Sequence, residues 1–180
     1  KIFIIKIIIM NISRISNEGL KLVKDFEGLR LKPYLDAVGI PTIGYGTTFY
    51  EDGTKVRMGD RPISEKRANN LLEYTLSNFE KYIDSYVKAP IDQYQFDALL
   101  TFCYNVGPRN LKSSTLLKKL NKNPNDKEIF TEFLKWDKVD GSRDGIDNDG
   151  DGLIDEPGEK KKLNGLTRRR LAEANLYFKE

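Results

Sequence analysis

Three side chains in the first quarter of the chain, Glu27, Asp36 and Thr42, are equipped for acid–base chemistry at close quarters. Cleaving a glycosidic bond needs a protonated carboxyl that donates to the bridging oxygen. It also needs a carboxylate that stabilises or activates what attacks the sugar. A hydroxyl beside them can orient the attacking water. Glu27 closes a helical pattern, and Asp36 lies in the turn-rich text that follows. A hairpin folded back onto that helix end would set both carboxyls beside one cleft, with Thr42 on the next segment. Spacing alone leaves an ordinary pair of surface acids open.

The remaining inventory narrows the chemistry. There is no histidine, which removes Ser–His and Cys–His catalysis, His-ligated zinc and histidine general bases. The single cysteine, Cys103 in LLTFCYNV, allows no internal disulfide and reads as a buried apolar residue. Acid–base work falls to Asp, Glu, Lys and Tyr.

The elements that must position the trio follow from periodicity. Ser16 is a good helix N-cap, Ile15 and Leu20 suit a hydrophobic staple, and Leu20, Val23 and Phe26 share one face. That helix should stop near Gly28, which puts Glu27 at its C-terminal end. Residues 31–60 read as short strands and tight turns, with Asp52-Gly53 as a hairpin signal. From Ser64 an apolar stripe predicts a long helix running to about Lys88, broken by Pro90. Asp92 and Gln95 predict a capping box for a helix ending near Gly107. Further helices are expected at 114–121, 126–137 and 167–178.

The spacing Glu27, Asp36, Thr42 resembles the active-site pattern of phage-type lysozymes. The surrounding text FEGLRLKPYLDAVGIPTIGYGTT is similar to theirs. So are QFDALLTFCYNVG, SSTLLKKLN, FLKW and GLTRRRLAEANLY, in that order. The likeness covers roughly residues 13–141 and 163–180. It implies an α+β, mainly helical, two-lobed fold. A small β-hairpin lobe (13–63) would carry the carboxyls, and a larger helical lobe (64–180) would follow an N-terminal extension (1–12). It implies hydrolysis of the β-1,4 bond between N-acetylmuramic acid and N-acetylglucosamine in peptidoglycan, with no cofactor in the chemistry. Glu27 would be the general acid, Asp36 the carboxylate that stabilises the transition state and helps hold the water, and Thr42 the group that positions that water. Attack by water would invert the anomeric centre, with carboxyls about 6.5–9.5 Å apart rather than about 5 Å. A lytic transglycosylase needs the acid but neither the second carboxylate nor an ordered water. A non-catalytic, calcium-dependent wall-binding module is the remaining alternative.

Neighbouring residues read two ways. Gly44-Tyr45-Gly46 is turn chemistry, or Tyr45 lines a sugar cleft. Asn105 caps a helix end, or by resemblance contacts substrate or the cleft wall. Arg168 is one of three solvated arginines (168–170) opening a helix, or by resemblance the ion-pair partner of Glu27. A cation so close would oppose the protonated state that a general acid needs. Trp136 reads as core rather than as a sugar platform.

One segment stands apart. GSRDGIDNDGDGLIDEPGE, an insertion at 142–160, has neither helical nor strand period. The stretch 140–159 carries −7 against a whole-chain +3, which leaves +10 for the rest. Asp147, Asp149, Asp151 and Asp155, with Gly152, resemble calcium loops of EF-hand and thrombospondin type 3 kinds, although Gly158 stands where an EF-hand has its bidentate Glu. Ca²⁺ there would be structural and would brace the last helix; a disordered acidic loop is the other reading. The basic remainder suits a polyanionic wall; no motif supports nucleic-acid binding. The apolar start KIFIIKIIIM is too short to span a bilayer. It is expected to be an upstream-translated or added stretch ahead of a natural start at Met10, before an edge strand or a membrane anchor. A monomer is expected. A phage enzyme would wait in the host cytoplasm for a holin before reaching the periplasm and wall; a bacterial one would be secreted.

Overall fold

The computed structural model describes residues 12–36, 38–140 and 160–180. Helix α1 (Asn17–Glu27) starts where Ser16 turns its hydroxyl to the Glu18 and Gly19 amides, and stops at Gly28, whose φ of 68° an L side chain resists. Its start is also held from outside. The buried Asp97 carboxylate accepts from the Ser16 amide at 2.9 Å, from the Ser16 hydroxyl, and from Gln93 Nε2 at 2.8 Å. Gly19 lets the two segments meet, because a Cβ there would lie 2.7 Å from Asp97 Cγ.

Strands β1 (Arg30–Leu35) and β2 (Pro41–Gly44) form an antiparallel hairpin with Tyr34 opposite Thr42. The Asp52-Gly53 turn forms as expected: Gly53 N donates to Tyr50 O at 3.0 Å, and Phe49 bridges Lys55. The long helix α2 (Glu65–Tyr86) follows the Ser64 cap, and α3 (Gln93–Val106) opens with the expected Asp92–Gln95 capping box and ends at Gly107. Then come α4 (Pro108–Ser113), α5 (Thr115–Lys122), α6 (Glu128–Leu134), β3 (Lys138–Asp140), β4 (Lys160–Lys162) and α7 (Asn164–Tyr177).

Helix α3 is the hub. Phe96, Ala98, Leu99, Leu100, Phe102 and Cys103 are all buried, and α1, α2 and α7 pack around them. Burial pushes the Cys103 thiol up to about 12, as suits an inert core residue. Trp136 packs edge-on to Phe102, with 5.5 Å between centroids, in agreement with a core role. The fold is α+β and mainly helical. The boundary expected near residue 63 falls where the turn-rich region gives way to α2. Helix α1, however, packs on α3 and so joins the helical body by contact.

Helix α4 and the β3–β4 ladder were not expected from the sequence, and α7 begins three residues earlier than its period suggested. The ladder pairs Lys138 with Lys162 and Asp140 with Lys160. It is tied to α7 through buried Asp137, which accepts from the Thr167 hydroxyl at 2.9 Å and pairs with Lys162 at 3.1 Å. Its carbonyl accepts from Leu163 N at 2.9 Å. Residues 1–11 and the calcium-ligand candidates Asp147, Asp149, Asp151 and Asp155 lie outside the described residues. Among the described residues no cluster of acids or cysteine suits a metal, and no helix is long and apolar enough to cross a membrane.

Candidate active site

Glu27 is the last residue of α1, and its side chain is 20% exposed. It opens onto two cavities. One, of about 630 Å³, is lined by residues 46–51 and by α2, with an aromatic wall of Phe49, Tyr50, Tyr74, Phe79, Tyr82 and Tyr104. The other, of about 800 Å³, lies against the start of α7 and includes Arg168 and Arg169. Glu27 and Asn105 are common to both. The carboxyl therefore sits at the junction of a long groove, where a polymer could pass on either side of it.

The turn at Gly44–Gly46 approaches Glu27 closely. Gly46 (φ 90°) brings the chain so near that a Cβ there would lie 3.4 Å from Glu27 Oε2 and 3.4 Å from the Tyr104 hydroxyl. A Cβ at this position would be strained by φ and would stand in van der Waals contact with the carboxyl. Tyr104 donates to the Tyr45 carbonyl at 2.8 Å, which pins α3 to the Gly44–Gly46 turn. The Tyr104 phenol is pushed up by burial first, then by the negative charge of Glu27, with Arg169 opposing.

Asp36 ends β1. Its Oδ1 accepts from the amides of Val38 at 2.9 Å and Ile40 at 2.8 Å, so the carboxylate folds the very turn that presents it. Thr42 is buried and donates to Ile40 O at 2.9 Å, which leaves its oxygen lone pairs as acceptors. Tyr34 links the trio. It faces Thr42 across the ladder. Its phenol is pushed up by burial, pulled down by Arg30, and pushed up again by both Glu27 and Asp36. Tyr34 thus feels the charge of both acids and pairs with Thr42, while of the trio only Glu27 lines the two cavities.

The ion-pair partner of Glu27 is Arg169, not Arg168. Arg169 Nη1 lies 2.7 Å from Glu27 Oε1. The reason is helical phase: with α7 starting at Asn164, residues 169, 170, 173, 174 and 177 form the buried stripe, and 168 points outward. Arg168 is exposed but still lines the second cavity. Asn105 is exposed in the last turn of α3, where Gly107 rather than Asn105 is the C-cap, and its Oδ1 accepts from Arg170 Nη2. It is cleft wall. Tyr45 is corrected: its ring is 6% exposed and packs in the core beneath Lys24, whose Nζ lies 5.7 Å from the ring centroid. The tyrosines that line the first cavity are Tyr50, Tyr74, Tyr82 and Tyr104.

The chain and its fold have counterparts among known proteins. The phage lysozyme family model matches residues 24–173. The chain belongs to the phage lysozyme family. It is 38% identical over 164 residues to the endolysin of Bacillus phage B103, covering 91% of this chain and 54% of that protein, about half its length. The endolysin from Escherichia coli O157:H7 phage FAHEc1 superposes with a TM-score of 0.76 at 34% identity, over 92% of this chain and 93% of that one. The muramidase domain of SpmX from Asticaccaulis excentricus superposes with a TM-score of 0.74 at 26% identity, over 93% and 99%. The span matched by the family model includes Glu27, Asp36, Thr42 and Arg169.

Proposed function

We propose that this phage lysozyme family member cleaves peptidoglycan glycan strands as a muramidase, by general-acid catalysis with attack by water. The observation that carries the reading is Glu27, partly buried at the junction of two cavities, with Asp36 and Thr42 on the adjoining hairpin. Glu27 donates to the leaving glycosidic oxygen. Asp36, already engaged at Oδ1, has Oδ2 to offer to the developing positive charge or to water. Thr42 accepts from that water. The aromatic wall supplies flat apolar faces for sugar rings, and Asn105 and Arg168 supply polar contacts on the other side. The phage endolysins that it resembles support a phage origin, and a route from host cytoplasm to wall is part of the same proposal.

Turbidity clearing of purified peptidoglycan, followed by mass spectrometry of the fragments, tests this. Products with reducing N-acetylmuramic acid ends and the mass of an added water are expected. Anhydro-muramic ends would replace the hydrolase with a transglycosylase, and binding without turnover would leave a wall-binding module.

Ca²⁺ belongs to the same reading as a structural ion. The donor set of Asp147, Asp149, Asp151 and Asp155 is all hard oxygen. The β3–β4 ladder that brackets this segment runs directly into α7, which carries Arg169. Excess Ca²⁺ should raise Tm relative to excess chelator, by roughly 2.7 kcal/mol of stabilisation at a hundredfold excess over Kd. Identical melting in both conditions would refute it.

A further inference from the structure

We infer that Glu173 is a positioning residue for Glu27 and acts through Arg169. The inference rests on the reading of Glu27 as the catalytic acid. The Glu173 side chain is completely buried, and α7 places it four residues after Arg169 and three after Arg170. Its two oxygens are divided between them. Oε1 accepts from Arg169 Nε at 3.1 Å, and Oε2 accepts from Arg170 Nη1. Burial pushes the Glu173 carboxyl up, and the two guanidinium groups pull it back.

A guanidinium is planar and rigid, so fixing two of its nitrogens fixes the third. Arg169 is held at Nε by Glu173 and at Nη2 by the Thr101 carbonyl at 3.4 Å. Its remaining nitrogen, Nη1, is the one 2.7 Å from Glu27 Oε1. The direction of Nη1 is therefore set inside the core. Glu27 Oε1 follows it, and Oε2 is left at the Gly46 side, facing the first cavity. Without Glu173 the Arg169 plane keeps only the long contact to the Thr101 carbonyl inside the core, and Glu27 loses its fixed rotamer. The partly buried end of the chain of charges does the chemistry, and the fully buried end keeps it aimed.

Steady-state kinetics on soluble glycan strands test this in a double-mutant cycle. Glu173→Gln should lower kcat about tenfold or more with KM within about twofold, because geometry and not binding is lost. In an Arg169→Gln background the same replacement should cost no further kcat. Equal losses in both backgrounds, or an unchanged kcat in the folded single variant, would overturn the proposal. If Glu173→Gln does not fold, Glu173→Asp keeps the buried anion but shortens its reach. It should show a smaller kcat loss with the same non-additivity, and additive losses would again refute it. Full turnover by Glu27→Gln would sink the underlying reading; normal dependence on Glu27 with additive Glu173 losses would sink this inference alone.

Discussion

Glu27→Gln is expected to lose roughly 10²–10⁴-fold in peptidoglycan clearing while the fold survives. The amide has the shape of the carboxyl and keeps an oxygen for Arg169 Nη1, so the contact at 2.7 Å can persist. What it cannot do is release a proton to a leaving oxygen. The surroundings argue that the defect will be chemical. Gly46 gives Oε2 an uncrowded place, Tyr104 is already spent on the Tyr45 carbonyl, and no other residue common to both cavities carries an acidic proton. The helix end is also held independently, since Gly28 and Lys24 close α1 whatever residue 27 carries. Far-ultraviolet circular dichroism and Tm should therefore match the parent. A variant that retains a tenth of the parent turnover would remove Glu27 from the acid's role.

Much of this site was legible in the sequence, and the part that was not has a common physical cause. Ser16, Ser64, the Asp92–Gln95 box, Gly28 and Gly107 mark helix ends by local hydrogen bonding and backbone freedom, and the structure uses each as read. Glu27, Asp36 and Thr42 are also local: a helix end, a turn and the strand after it. The misreadings are contacts made at long range. The resemblance points to Arg168 as the partner of Glu27, but the inward phase of α7 carries Arg169 and leaves Arg168 exposed. Tracing the stripe back from Tyr177 through Ala174, Glu173, Arg170 and Arg169 would have found the partner. The place of Tyr45 depends on α3, some sixty residues later, whose Tyr104 hydroxyl takes the Tyr45 carbonyl. The β3–β4 ladder was missed because a three-residue run of lysines has no strand pattern; its pairing comes from the Asp137 anchor.

Asp97→Ala should do the reverse of Glu27→Gln, leaving the chemistry and weakening the fold. Asp97 is fully buried and accepts from the Ser16 amide, the Ser16 hydroxyl and Gln93. Hydrogen bonds to a charged acceptor are worth about 1.5–3 kcal/mol each, and stranded buried donors add their own cost, so a net loss of roughly 3 kcal/mol is expected. In a chain of this size that lowers Tm by roughly 6–12 °C. Gly19→Ala should also destabilise. Helix propensity alone favours alanine by about 1 kcal/mol, but its Cβ would lie 2.7 Å from Asp97 Cγ and 2.8 Å from Ile15 Cγ1, so packing reverses the sign. Glu27 sits at the other end of α1, about 16 Å along the axis, and is held there by Arg169. Activity of Asp97→Ala well below its Tm should therefore stay near the parent's and collapse at a lower temperature. An Asp97→Ala variant that melts within about 2 °C of the parent would mean that α1 is docked by its apolar stripe, with Val23 at 0% exposure as its anchor, and that the Asp97 clamp adds little.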